Sequence, residues 1–273
     1  MAVSLCYPLI DMKKFVSFFN GFTSDYRDRL DTIRRIGYDG VFFIFEGDPN
    51  FYAALDYAQE IGLLTESIHL PFYEVNTIWK EGPEGDEFID SLLRGVRVAA
   101  QKGIERAVVH ISSSPICPQW TQQGMDRMRR VVALANELGV QLCMENTRHN
   151  NMLDRYFAEV EPSPYVGFCL DFGHLNGFTH DPLAERWVAY ADRVSMVHIH
   201  DNDGTGDQHL LPFDGTLPWE ELVPIIFKGR TDIPLLLELT EMARTKYPDL
   251  SEEEFLRVGY ARLERIEQLI LKN

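Results

Sequence analysis

The chain has 273 residues, 45% hydrophobic and 25% charged, a balance that suits a soluble globular protein able to bury a large core. Its formal net charge of −16, from 26 basic and 42 acidic residues, argues against a nucleic-acid partner, because phosphate backbones repel an acidic surface. No segment approaches the roughly 18 unbroken apolar residues of a membrane span, and the four scattered cysteines (Cys6, Cys117, Cys143, Cys169) make no disulfide framework.

In chain order, the apolar stretch Val3 to Ile10 has no basic residue before it and is too short for a secretory signal. Val3–Cys6 is therefore expected to be the first strand, and the cytoplasm the compartment. Ser24 is placed to cap a helix whose Tyr26, Leu30 and Ile33 share one face, with Gly37 ending it before a strand over 41–45. The same alternation then repeats. A helix over 51–61 precedes a strand over 65–70, a helix over 88–100 a strand over 107–111, and a helix over 125–138 a strand over 141–144. Strands over 166–170, 194–199 and 233–237 follow, and the last helix spans Glu252 to Leu271.

Eight continuously apolar strands, each followed by a helix or room for one, suit parallel strands covered by helices. The expected fold is a single (β/α)8 TIM barrel, one domain over 1–273, with its active site at the C-terminal ends of the strands. Neither GxGxxG nor GxxxxGK[ST] occurs, and Asp203-Gly204-Thr205-Gly206 opens no helix, so it reads as a loop. The basic run Arg127, Arg129, Arg130 reads as a solvated helix face.

The strand ends carry the chemistry. Strand three ends in His69, strand four in His110, strand five in Glu145 and strand six in Asp171, with His174 just beyond. Strand seven carries His198 and His200, followed by Asp201, and strand eight ends in Glu238. One such residue is commonly a loop cap, as expected for His149 and His180. Six consecutive strand ends are a different matter, because the ends converge on one mouth. Buried unpaired charges there cost several kcal/mol each, a cost that a divalent cation removes. The loop residues Asp207 and His209 add further candidate ligands. Phe72, Trp120 and Trp219 are candidates to stack on a sugar ring, or equally to pack in core and loops.

The segments His69-Leu70-Pro71-Phe72, Val109-His110, Met144-Glu145-Asn146-Thr147, Leu170-Asp171-Phe172-Gly173-His174, Val197-His198-Ile199-His200-Asp201-Asn202, Asp207-Gln208-His209 and Leu237-Glu238-Leu239-Thr240 resemble the xylose isomerase-like barrels. That superfamily holds sugar phosphate isomerases and epimerases together with the endonuclease IV class of abasic-site nucleases. The resemblance implies that Glu145, Asp171, His198 and Glu238 hold one divalent metal (Mn, Zn, Mg or Co), with Glu145 and Glu238 also the catalytic acid/base pair. It leaves His200 as the alternative strand-seven ligand. His69, His110, His174, Asp207 and His209 match the further ligands of the nuclease's three-zinc site, so more than one ion is compatible with the chain. Two features depart from the family's patterns. No arginine follows the strand-seven histidines to hold a substrate hydroxyl, and the loop after strand two, Phe45-Glu46-Gly47-Asp48, is acidic where a DNA-inserting loop would be basic.

The resemblance thus implies isomerisation or epimerisation of a small sugar, sugar phosphate or related polyol through a metal-stabilised enediolate. Multi-zinc phosphoester hydrolysis, on abasic DNA or a small phosphoester, is the alternative. A small-molecule substrate, no membrane and no nucleic acid are the expected partners, with homo-oligomerisation left open.

Overall fold

The computed structural model describes residues 11–272. Eight strands are formed: β1 (Lys14–Ser17), β2 (Gly40–Ile44), β3 (Leu64–His69), β4 (Arg106–Val109), β5 (Gln141–Glu145), β6 (Val166–Asp171), β7 (Val194–His198) and β8 (Leu235–Leu237). All neighbours pair parallel, in the order β7-β6-β5-β4-β3-β2-β1-β8. The remaining seam, between β7 and β8, closes through a bridge between Ile199 and Leu237. The Ile199 N–H donates to the Leu236 carbonyl (2.8 Å), and the Glu238 N–H to the Ile199 carbonyl (3.0 Å). The sheet is thereby a (β/α)8 barrel, as the strand pattern predicts.

The first strand differs from expectation. Val3–Cys6 lies outside the described residues, and Lys14–Ser17 fills the slot between β8 and β2. Two lysines disguise it in the sequence. Lys14 is only 2% exposed, and its ammonium is held by Asp11 (3.0 Å) and by Glu267 of the last helix (2.9 Å). Phe15 and Val16 then alternate normally, Phe15 into the barrel and Val16 toward the helices.

The helices close to the expected positions are Tyr26–Ile36, Pro49–Glu60, Glu84–Gln101, Gln122–Leu138 and Glu252–Leu271. The first is capped by the Asp25 side chain rather than Ser24, and ends as expected at Gly37, whose φ of 114° is open only to glycine at low cost. Glu252–Leu271 begins with a capping box between Ser251 and Glu254. Among the described residues no helix is long and apolar enough to cross a membrane.

Arg127 is not part of a solvated face. It is 3% exposed, and its guanidinium donates to the carbonyls of Ile78, Lys80 and Gly82 and to Asp86, fastening the 78–83 segment onto the helix Gln122–Leu138. Arg129 and Arg130 do face solvent, paired with Asp126, Asp86 and Asp90.

The barrel interior explains where the polar residues sit. One layer inside it is apolar: Phe15, Phe42, Val108, Cys143, Cys169, Met196 and Leu236. Side chains alternate along a strand, so the next inward position is two residues further on. From β4 to β8 those positions are His110, Glu145, Asp171, His198 and Glu238. The pleat alone therefore lifts five of the candidate ligands into one layer at the C-terminal mouth.

Candidate metal centre

The nine side chains that the sequence nominates, and His200 with them, meet at this mouth as three adjoining groups. In the first, the Nε2 atoms of His69 and His110 face one oxygen of Glu145, at 3.2 and 2.7 Å. In the second, Nδ1 of His198 faces Glu145 Oε1 at 3.0 Å, Glu238 Oε2 at 3.4 Å and Asp171 Oδ2 at 3.9 Å. In the third, Asp207 takes His209 at 3.2 Å, His174 at 3.5 Å and His200 at 3.7 Å. Asp171 links the last two groups, because His200 Nε2 lies 3.1 Å from its Oδ2. Both strand-seven histidines share inward parity, but they serve different groups. His198 joins Glu145, Asp171 and Glu238, whereas His200 joins Asp171 with His174, and Glu238 with His209. His149 and His180 stay outside: His149 is half-buried and hydrogen-bonds the Ser114 carbonyl, and His180 is exposed.

The donor chemistry fits a divalent cation. One imidazole nitrogen can give one proton, yet His198 Nδ1 faces three carboxylate oxygens. The ligand atoms of Glu145, Asp171, His198 and Glu238 all lie within 4.8 Å of one another. Four donors around an ion with bonds of about 2.1 Å stand roughly 3.4 Å apart, close to the contacts of His198 with Glu145 and Glu238. Among the described residues, no lysine or arginine is ion-paired with Glu145, Asp171, Asp207 or Glu238 to do that work instead.

Backbone contacts hold the ligands in place. Asn146 clamps Asp171 from both sides: its amide donates to the Asp171 carbonyl (2.9 Å) and accepts the Asp171 N–H (2.8 Å). The Asn146 carbonyl also accepts from His174 Nδ1 (2.7 Å), turning Nε2 of that ring toward Asp207. Asp171 caps the short helix Phe172–Gly177 through the His174 N–H. Gly173 in this helix is required by packing, since a Cβ there would overlap the His200 ring.

Asp201 is fully buried and is no ligand. Its outward parity turns the carboxylate to the N–H groups of Asn202, Phe213, Leu217 and the Trp219 indole. Its backbone exchanges two hydrogen bonds with Leu210, beside His209, so it fixes the loop that brings Asp207 and His209 to the mouth. The alternation along β7 is the one sequence signal that separates it from the two histidines. Trp219 is core, 1% exposed, and Trp120 packs on Trp79. Of the three aromatic candidates only Phe72 stands at the site, its ring centroid 4.9 Å from His69 and 5.0 Å from His110.

Without a cation the groups balance one another through protons. Burial pushes the Glu145 carboxyl up, but His198 and His110 outweigh it and hold it well below the usual carboxylate range. Asp207 and Glu238 are lowered in the same way, against burial, chiefly by His209 with His174 and by His198 respectively. Burial opposes charge on His198, His174 and His209, yet their neighbours raise all three: Cys169 and then Glu238 and Glu145 raise His198, Asp171 and Asp207 raise His174, and Asp207 raises His209 to about 9. For His110 burial prevails and the pKa falls.

A pH profile follows for the metal-free protein. Below the unfolded imidazole's value of 6.5, His209 is charged whether folded or not, and its attraction to Asp207 is fully present; that stability is lost as pH rises through about 9. The lowered carboxylates act oppositely, contributing above their ordinary values and failing as pH falls through their folded ones. Chelator-treated protein is thus expected to be most stable in mildly acidic buffer and to lose melting temperature steadily between about pH 6.5 and 9. A melting temperature flat across that window in differential scanning fluorimetry would show that these imidazoles are not charged in the folded state.

Comparisons with known proteins agree with the barrel fold. A family model described as xylose isomerase-like TIM barrel matches residues 30–257. The uncharacterized protein y4fM of Sinorhizobium fredii is 34% identical over 145 residues, which is 52% of this chain and 43% of that protein, so the match spans less than half the relative's length. Among solved structures, D-psicose 3-epimerase from Clostridium cellulolyticum H10, with D-tagatose, superposes with a TM-score of 0.74 at 14% identity, over 95% of this chain and 99% of that one. The TTHB071 protein of Thermus thermophilus, soaked with ZnCl2, superposes with a TM-score of 0.65 at 22% identity, over 96% and 98%. At these identities the structural likeness speaks for the fold.

Proposed function

The chain belongs to the xylose isomerase-like TIM barrel family, and from that premise we propose that it is a metal-dependent isomerase or epimerase of a small sugar, sugar phosphate or related polyol. The observation that carries the reading is the convergence of Glu145 and Glu238 on one nitrogen of His198, at 3.0 and 3.4 Å, from strands three places apart around the barrel. Two carboxylates that approach one point from different sides can take a proton from one face of a carbon and return it to the other. Glu145, Asp171, His198 and Glu238 would hold the cation, which supplies Lewis acidity at the carbonyl and so acidifies the neighbouring C–H.

The chain's own residues do the rest. His69 and His110 fix the second oxygen of Glu145, leaving Oε1 on the His198 side. Glu238, 12% exposed at its side chain where Glu145 is 1%, is the more accessible of the pair. Phe72 covers the His69 and His110 rings and keeps water from that flank. The acids are weak bases at their lowered pKa values, so the scheme works only on a C–H that is itself activated.

Phosphoester hydrolysis is the second reading. It is favoured by the assembly of His69 and His110 on one side of Glu145, and of His174, Asp207 and His209 on the other side of the mouth. Net charge weighs against a duplex substrate, since phosphate contacts require clustered Lys and Arg. One experiment separates the two. Metal-loaded protein is incubated in D2O with a panel of ketoses and, separately, with an abasic-site duplex at low salt. Deuterium incorporation next to the carbonyl with intact DNA is the expected result. Nicking at substoichiometric protein, with no incorporation into any ketose, would replace the isomerase reading by the hydrolase.

A further inference from the structure

We propose that Arg148, in the turn after β5, is a binding subsite for an anionic group, a phosphate ester or a carboxylate, at the far end of the substrate's carbon chain. The inference rests on the isomerase reading above and names the substrate class of that same site.

The turn is held on both sides of this residue. Thr147 donates its hydroxyl to the Ser112 carbonyl (3.0 Å), and His149 its Nε2–H to the Ser114 carbonyl (3.0 Å). Between these anchors the Arg148 side chain lies over Phe178, its guanidinium carbon 3.9 Å from the ring centroid. Phe178 in turn stacks on His174, with centroids 4.6 Å apart and planes 20° from parallel. The guanidinium is thus the outer member of a three-layer stack whose inner member belongs to the third ligand group. Two stacking steps separate it from His174, a span comparable to an extended sugar chain that has its carbonyl end at the ligands.

Stacking leaves the edge of a guanidinium free, and that edge is the part that grips oxyanions in a two-pronged fashion. Arg148 is exposed, and among the described residues its donors make no hydrogen bond or ion pair. Many arginines of this acidic chain are neutralised by a carboxylate, for instance Arg29 by Glu252, Arg106 by Glu66 and Arg262 by Asp214. Apart from Lys80 after β3 and Arg244 and Lys246 after β8, the turns around the mouth are otherwise poor in positive charge. The stretches 45–50, 110–121, 171–184 and 199–218 hold no lysine or arginine. An anion arriving at this part of the rim therefore meets an oriented cation, set apart from the candidate ligand His174 by one aromatic layer, Phe178.

The test is calorimetric binding to metal-loaded protein of three probes: fructose, fructose 6-phosphate and 5-ketogluconate. Wild-type protein is expected to bind at least one charged probe about tenfold or more tightly than fructose, the value of a charge-assisted bidentate contact. In R148A that ratio should fall to near one. In R148K it should lie between, because an ammonium supplies the charge without the fork. The probe that shows the preference tells phosphate from carboxylate. Equal affinity for charged and neutral probes in wild type would overturn the subsite, and so would a preference that persists in R148A, because that preference would belong to the cation. Turnover measured alongside keeps the two ideas apart. A charge preference lost in R148A without isomerisation of any probe supports the subsite and counts against the isomerase reading. Isomerisation without charge preference does the reverse.

Discussion

Glu145→Gln is expected to lower turnover by at least about 10²–10⁴-fold, the usual worth of a positioned acid or base. The residue serves two groups at once: Oε2 faces His69 and His110 while Oε1 faces His198. Glutamine keeps the shape but swaps one anionic oxygen for an NH2 that must confront an imidazole or a cation. Glu238→Gln should cost similarly in kcat with less effect on metal content, since Glu238 has fewer partners and more solvent. Steady-state rates, circular dichroism and metal analysis on both variants are the measurements. Rates within about tenfold of wild type for both would remove the pair from proton transfer.

Stripping the cation should have the largest effect on stability. The site gathers buried acids and imidazoles that only protons hold together otherwise, and a ligand present at about 1,000 times its Kd adds about 4 kcal/mol to the folded state. For a chain of this size each kcal/mol moves Tm by roughly 2–4 °C, so loaded and stripped protein should differ by about 10 °C. Elemental analysis of protein purified without chelator should find at least one divalent ion per chain. Equal melting temperatures with and without added metal would mean that the mouth holds no ion.

The fold was legible in the sequence wherever a strand is buried on both faces. β5 and β6 read directly because runs such as Leu142-Cys143-Met144 and Phe168-Cys169-Leu170 face the interior layer on one side and the helices on the other. β1 was not legible in this way, because Lys14 is neutralised by Glu267 at the other end of the chain, a pairing no local pattern announces. The candidate site was legible for the same reason that the strands were: His110, Glu145, Asp171, His198 and Glu238 sit one inward step beyond the apolar layer, with His174, Asp207 and His209 added by the segments after β6 and β7. What stayed hidden depends on contacts between loops. Asp201 looks like a ligand beside His200 and instead fastens the 213–219 segment, and Trp219 looks like a stacking platform and is the indole that Asp201 holds. Arg127 reads as surface charge until the three carbonyls it satisfies are in place.

The ring of strands is sewn unevenly. Seven of its ladders run for several residues, whereas β7 meets β8 through a single bridge and two hydrogen bonds, and β8 is itself three residues long. Glu238 emerges from that short last strand, while Asp171 and His198 emerge from β6 and β7 on the other side of the join. An ion shared by those three residues is then a staple across the weakest seam of the cylinder. Closure of the ring, which the chain reaches only after β8 has been made, would be the folding step that the ion favours most. Slow fluctuations that part the staves would begin at the same seam, so an empty mouth and a loosened barrel would be one state rather than two.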